Sequence, residues 1–337
     1  MKPSIENPFY YVTMLTKKGA VKYDLTPILT SLKIYDSEGE LATKANLSFM
    51  NVYINDGWLT GFFDVGDVIQ ITADNGEGKK AVGTFTIWER GYERDLKKII
   101  SVTAYDSKLI YLQKSEDVRV YTKGKDTKSI VSDICSAWSV PLNYQYTSTK
   151  HELKQWRGTR LSEMILECLE DVRKATGKKY VLYSENNTLV ISGVGQNKTV
   201  YEFDAKKNVF STSSSTTLEG VVTKINIYTH ADEGVQNKLE ASVTGRTSEY
   251  GTLQQVMVRS DSKALADCKT EANQTLKDAG KAIVRFTLDA RDIPWLKKGD
   301  VLQVTAGNMV GKYHALSVLH NCTESTMRVE VERHEIQ

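Results

Sequence analysis

The fourteen residues Gly66–Lys79 (Gly-Asp-Val-Ile-Gln-Ile-Thr-Ala-Asp-Asn-Gly-Glu-Gly-Lys) recur at Gly299–Lys312 as Gly-Asp-Val-Leu-Gln-Val-Thr-Ala-Gly-Asn-Met-Val-Gly-Lys. Nine of the fourteen positions are identical, two more exchange aliphatic residues, and no gap is needed. Each copy precedes the last strands of a β-rich block, so the chain is constrained to two related β modules. In both copies the pairs Gly66–Asp67 and Gly299–Asp300 are expected to form a tight turn. Each turn launches a half-buried strand, with Gly78 and Gly311 as further turn glycines of the repeat. Two like modules in one chain hint at ring symmetry.

From Val21 to about Leu112, β-branched or aromatic residues alternate with polar ones. The alternation is punctuated by turn chemistry at 36–39, 55–57 and 75–78. Strands are predicted over 29–35, 45–52, 68–73, 82–90 and 98–104, the makings of a small barrel or sandwich. The period changes at Thr127, the predicted N-cap of a helix bearing Ile130, Val131, Ile134, Cys135 and Trp138 and stopped by Pro141. A second helix is predicted from Leu161, with Thr159 as N-cap and Gly177 beyond its end. Strand patterning returns over 180–192. A Ser/Thr run at 211–217 reads as a loop or an edge. Strands follow at 221–228, 238–247 and 252–258, then a helix from about Ser262 to Ala279, then strands at 282–289, 301–305, 313–321 and 327–332.

Composition narrows the function. The chain has 337 residues, and 44 Lys+Arg against 42 Asp+Glu leave a formal charge of +2, which disfavours nucleic-acid binding by charge alone. No apolar run approaches the roughly 20 residues that span a bilayer. The segment Met1–Leu15 mixes Lys2, Pro3, Glu6 and Pro8 into its apolar residues, so a soluble protein without a secretory signal is expected. Cys135, Cys168, Cys268 and Cys322 include no Cys-x-x-Cys pair, and a reducing compartment fits them.

No catalytic, cofactor-binding or metal-binding residue emerges. There is no Gly-x-Ser-x-Gly and no cysteine in a local peptidase signature. Glu163, Glu167, Glu170 and Asp171 read as the solvated face of the second helix. His314, His320 and Cys322 share a parity along one strand, but the two histidines stand roughly 20 Å apart on an extended chain. His151, His230 and His334 read as surface residues. The run Asn75–Lys79 lacks the spacing of a phosphate loop and reads as a hairpin turn. Trp58, Phe62, Phe63, Trp88, Trp138, Trp156 and Trp295 could form sugar platforms, but barrel core or subunit interface suits them better.

Five stretches resemble the XkdQ/YqbQ-like proteins of PBSX-type prophages, in that family's order. They are 22–27 (Lys-Tyr-Asp-Leu-Thr-Pro), 103–112, 134–142, 176–180 (Thr-Gly-Lys-Lys-Tyr) and 298–302. The resemblance implies an α+β, mainly β chain, in which two tube-like antiparallel β-barrel domains flank a small mixed α+β middle domain. The barrels would occupy 1–118 and 206–337, the latter with one inserted helix, and the peripheral middle domain 119–205. It implies a baseplate hub of a contractile tail or tail-like bacteriocin, assembled in the bacterial cytoplasm and released by lysis. The expected assembly is a homotrimer whose six barrels adapt a sixfold tube to a threefold spike. Its expected partners are the tail tube or tube initiator, the central spike and baseplate wedge proteins, with the tape-measure protein as a further contact. No sequence-specific nucleic acid, membrane insertion or cofactor is implied. The rival readings are a tail-associated peptidoglycan hydrolase and a carbohydrate-binding host-recognition protein.

Overall fold

The computed structural model describes residues 7–17, 21–54, 57–62, 64–92, 98–229, 236–259 and 263–334. The chain divides into two compact units, one made of 1–213 with 287–337 and the other of 214–286. The chain is mainly β with few helices.

Two sets of six strands dominate. The first comprises β1 (Phe9–Leu15), β2 (Leu29–Asp36), β3 (Lys44–Met50), β4 (Val68–Asp74), β5 (Lys80–Tyr92) and β6 (Ile99–Asp106). The second comprises β7 (Tyr201–Asp204), β8 (Val209–Thr217), β9 (Ile283–Arg291), β10 (Val301–Ala306), β11 (Met309–Asn321) and β12 (Thr326–Arg333). Burial alternates along β1 and β4 as a half-buried strand requires: Tyr10, Val12 and Met14 of β1 and Ile69, Ile71 and Ala73 of β4 all point into one core. That core also takes Leu32, Leu47, Phe49, Phe85 and Ile100.

Strand order repeats as the sequence does. The first set runs β2-β3-β6-β5-β4-β1 and the second β8-β9-β12-β11-β10-β7. One difference stands out: β1 lies antiparallel to β4, whereas β7 lies parallel to β10. The sets are joined by antiparallel pairing of β2 with the end of β11, from Val318↔Asp36 to Asn321↔Lys33. Among the described residues the pairings therefore run as one thirteen-stranded sheet, an eleven-strand path that includes Lys22–Asp24 with β10 and then β7 branching off at β11, and no closed barrel is found.

Between the sets lie helices α1 (Thr127–Ala137) and α2 (Leu161–Thr176) and the strands Leu142–Gln145, Tyr180–Glu185 and Thr188–Gly193. Both helices bury their apolar stripe in a second core with Leu109, Ile110 and Leu112. The N-cap of α1 is Asp126, whose carboxylate accepts the Ser129 N–H (3.1 Å), and not Thr127, which is fully buried as the first helical residue. Nor is Thr159 the cap of α2: Arg160 holds that place without a side-chain bond, and Thr159 pairs with Asp117 in a ladder. At the other end Gly177 adopts φ +72° and its N–H donates to the Arg173 carbonyl.

The Ser/Thr run belongs to strand β8. The helix read as an insert from Ser262 begins at Leu265; Ser262 lies outside the described residues, as do Asn55 and Asp56 of one predicted turn. This helix, α3 (Leu265–Ala279), does not stand alone. It packs Cys268 and Ala272 on Ile225 and Ile227 of a three-stranded sheet, Leu239–Thr244, Lys224–Thr229 and Gln254–Arg259, within the 214–286 unit.

Candidate assembly interface

Of the six residues singled out by the repeat, Gly66 and Asp67 form a turn ahead of β4 and Gly299 and Asp300 one ahead of β10, while Gly78 and Gly311 lie beyond those strands. Gly66 and Gly299 both adopt φ +84°, a conformation that a Cβ strains. The Gly66 N–H donates to the Ile87 carbonyl (2.6 Å) and the Ile87 N–H to that of Asp67 (2.8 Å). In the second copy the Gly299 N–H donates to the Ala315 carbonyl (2.7 Å) and the Ala315 N–H to that of Asp300 (2.9 Å). Asp67 accepts the Asp64 N–H (2.7 Å) and Asp300 the Lys297 N–H (3.0 Å), each two residues before the glycine. Immediately after Ile87 and Ala315 the ladders slip by a bulge, against β6 and β12 respectively. The likeness thus extends beyond the fourteen residues into the long strands β5 and β11. Gly78 (φ +97°) gives its N–H to Asp74 (3.0 Å), and Gly311 (φ +124°) sits in the β10–β11 hairpin.

Surroundings distinguish the two turns. An added Cβ at Gly66 would meet only the flexible end of Lys17, whereas at Gly299 it would come 2.7 Å from the Val181 side chain. Asp300 also differs from an ordinary carboxylate: burial pushes its pKa up to about 6, against the Lys297 N–H and the Lys297 charge.

Each turn ends the partner strand's hold on one side of the long strand. Beyond Ala315, the end of β11 takes β2 as its neighbour. On the corresponding side of β5 beyond Ile87, no strand is paired among the described residues. Trp88 stands at that bulge, 41% exposed, with its ring edge-on to Tyr105 and Tyr111. At the far end of the sheet β8 is paired, among the described residues, only with β9; its sequence Val-Phe-Ser-Thr-Ser-Ser-Ser-Thr-Thr has no charge or proline, and Phe210 is 60% exposed.

The remaining polar clusters are internal. His151, read from sequence as a surface residue, is buried: Nε2 lies 2.8 Å from Thr127 Oγ1 and Nδ1 3.2 Å from Asp171. This has the order of a nucleophile, a base and an orienting acid, yet Thr127 has no exposed surface and also bonds the Thr149 carbonyl. Asp171 and Glu167 are correspondingly not a free polar face: both hold Lys154, and Glu167 accepts from Trp156 Nε1 (2.7 Å). His314 and His320 take different carboxylates, Glu332 (3.4 Å) and Asp292 (2.6 Å). His320 Nε2 also faces the Leu296 carbonyl (3.2 Å), so both ring nitrogens carry protons and the ring is a buried cation. Burial opposes that charge, but Asp292 prevails and holds its pKa up. Tyr10 donates to the other Asp292 oxygen (2.5 Å). Cys322, like the other three cysteines, is a free buried thiol. His334 stacks edge-on against His314 (5.7 Å), while His230 and Phe63 lie outside the described residues. Trp156 is buried, Trp295 packs against the first core, and Trp58 and Trp138 are exposed.

Gly66→Ala is expected to cost about 1–2 kcal/mol, the strain of its φ alone. Gly299→Ala is expected to cost about 2–5 kcal/mol, because overpacking against Val181 adds to that strain. Denaturant midpoints check the order, and equal losses would remove Val181 from the account. Because the folded state holds the Asp300 proton more tightly than the unfolded chain, stability should fall as pH rises through about 4 to 6, by an order of 2 kcal/mol. Asp300→Asn keeps the acceptor for the Lys297 N–H and should remove that part of the decline; melting temperatures of both proteins across the window read it.

A family model described as YQBQ-like matches residues 38–332. The chain is similar to the uncharacterized protein YqbQ of Bacillus subtilis (strain 168), 28% identical over 207 residues that cover 59% of this chain and 61% of that protein. It is similar also to the phage-like element PBSX protein XkdQ of the same strain, 25% identical over 182 residues, 53% of this chain and 55% of that one. The matches thus span less than two thirds of either relative. In fold it resembles the 43 kDa tail protein of prophage MuSo2 from Shewanella oneidensis, with TM-score 0.66, 14% identity and coverage of 97% and 98% of the two chains. With the motifs in order along the sequence and the family match running across both copies of the Gly-Asp turn, the chain belongs to the YqbQ-like family.

Proposed function

We propose that the chain is a structural baseplate hub of a contractile phage tail or tail-like bacteriocin, acting as a homotrimer whose six β modules surround a channel between a sixfold tube and a threefold spike. The observation that carries this reading is the pairing of β2 with the end of β11. There the outermost strand of one set is added to the long strand of the like set, just past the Gly-Asp clamp. The same step taken between copies sets β8, the counterpart of β2, against β5, the counterpart of β11. Three copies then have three joints within chains and three between them, a closed ring of six like contacts. Main-chain hydrogen bonds supply the joint, and the exposed Phe210, Trp88 and Tyr92 supply apolar area beside it. Membership of the YqbQ-like family and similarity to a protein named for a phage-like element support a place in a tail.

In this reading 1–118 and 206–337 contribute the tube-like walls, and 119–205 is peripheral, contacting wedge proteins or supporting the spike. The tube or its initiator docks on the sixfold face, the spike on the threefold face, and the tape-measure protein meets the channel. Location in the particle's baseplate, cytoplasmic assembly and release by lysis follow from that role. Thr127 and His151, the groups that would have to meet a substrate, are buried, so we assign no hydrolase activity, and purified protein is expected to leave no cleared band in a peptidoglycan zymogram.

Light scattering after size exclusion should give about three times 37.8 kDa. Phe210→Lys, which places a charge on the β8 edge, should shift the mass to one chain with an unchanged circular dichroism spectrum. A trimer indifferent to that substitution would discard the edge joint, and a monomer at every concentration would discard the ring.

A further inference from the structure

The two copies of the repeat share an asparagine but not its neighbour. Asn75 precedes Gly76, whereas Asn308, at the equivalent place, precedes Met309. Of all the asparagines in the chain, Asn75 alone is followed by glycine. It is half-buried, and Gly76, Glu77 and Gly78 are exposed in the loop between β4 and β5. Met309 is fully buried and stands opposite Ala306 in the β10–β11 ladder.

Three hydrogen bonds gather the groups of an acyl transfer around the Asn75 amide. The Gly76 N–H donates to Asp74 Oδ1 (2.9 Å), so a carboxylate sits on the proton that this nitrogen must lose to become a nucleophile. The Glu77 N–H donates to Asn75 Oδ1 (3.4 Å), the oxygen on which charge would build. Asp74 Oδ1 also accepts the Gly78 N–H (3.0 Å), which holds the carboxylate against the loop. Gly76 adopts φ +94° and carries no Cβ to hinder the approach of its nitrogen to Asn75 Cγ. Those two atoms belong to adjacent residues and close a five-membered ring, so no encounter has to be organised.

We propose that Asn75 is a site of spontaneous deamidation, in which the loop between β4 and β5 acts on itself. The Gly76 nitrogen attacks Asn75 Cγ and the N–Cγ bond forms. The Gly76 proton passes to Asp74 and from there to Nδ2, and the Cγ–Nδ2 bond breaks to release ammonia. Water then adds to one or the other carbonyl of the cyclic imide and opens it. The product is an aspartate at position 75 or its isomer, whose main chain runs through the side-chain carbon. Both products place a negative charge between Asp74 and Glu77, and the isomer adds one backbone atom to the loop. Asn308 is spared, because the nitrogen beside it belongs to the buried Met309 and is held in a ladder. The two β modules, alike when translated, thus diverge with age. The inference stands apart from the ring reading, since every group lies in one loop.

Incubation of the full-length protein in mildly alkaline buffer, followed by peptide mapping with mass spectrometry, tests it. Asn75 is expected to gain the mass difference between an amide and an acid at least ~10-fold faster than Asn308 or any other asparagine. Asn75→Gln, which would have to close a six-membered ring, should abolish the early gain in intact mass. Gly76→Ala, whose Cβ crowds the nucleophile, should slow that gain by a similar factor. Asp74→Ser keeps an acceptor for the two N–H groups but supplies no carboxylate base, and should slow it as well. Equal rates at Asn75 and Asn308, or an intact Asn75 when other asparagines have reacted, would overturn the inference. An Asp74→Ser variant as fast as the unchanged protein would overturn the part given to the carboxylate.

Discussion

A pair of main-chain hydrogen bonds governs the architecture: the clamp between each Gly-Asp turn and the middle of the long strand beside it. The clamp halts one ladder, a bulge follows at once, and the remaining half of the long strand is free to take a different neighbour. A thirteen-residue strand thereby serves two partners on one side, which a regular ladder cannot do. Without that handover β11 could not hold both β10 and β2, and the two sets of strands would be separate sheets.

Side chains reinforce the seam. The buried Asp292 carboxylate collects the Tyr10 hydroxyl from the first strand of the chain and the His320 imidazolium from β11. Such a pair contributes little net attraction once desolvation is counted, yet losing one member strands a charge inside the protein. Its effect is to specify: Tyr10, the loop at Asp292 and β11 can come together in one register only. Lys298 acts likewise beside the second turn, bringing the Asp36 carboxylate of β2 against the loop that launches β10.

Much of this could be read in the sequence, within limits set by range. Period-two alternation marked β2 to β6 because each buries one face, and the repeat related Gly66 to Gly299 because local turn geometry is written in adjacent residues. Gly177 declared the end of α2 for the same reason. The pairing of β2 with β11 left no such mark, since alternation says which face is buried and not which distant strand lies alongside. His151 was misjudged because its burial comes from Thr127 and Asp171, more than a helical turn away on either side. The Ser/Thr run of β8 read as a loop or an edge and is an edge strand; the choice between the two stayed open because its positions are largely exposed on both faces, so no apolar alternation exists to be seen. The helix near Ser262 was correctly placed in outline, but its three companion strands were assigned to the second barrel because a compact unit is defined by contacts and not by periodicity.

The seam also sets a timetable for synthesis. Tyr10 and its partner Asp292 are 282 residues apart, and β2 must wait for β11 at residues 309–321. On the ribosome the six strands of the first set can collapse on their own core as soon as β6 emerges, but the outer edge of β2 stays bare until Val318–Asn321 of β11 have been translated. A ribosome that stalls before residue 309 would release a product with an unsatisfied strand edge able to recruit whatever strand is nearest. Translation of β11 is thus the event that withdraws this edge, and a copy cut short of it keeps the edge of β2 bare.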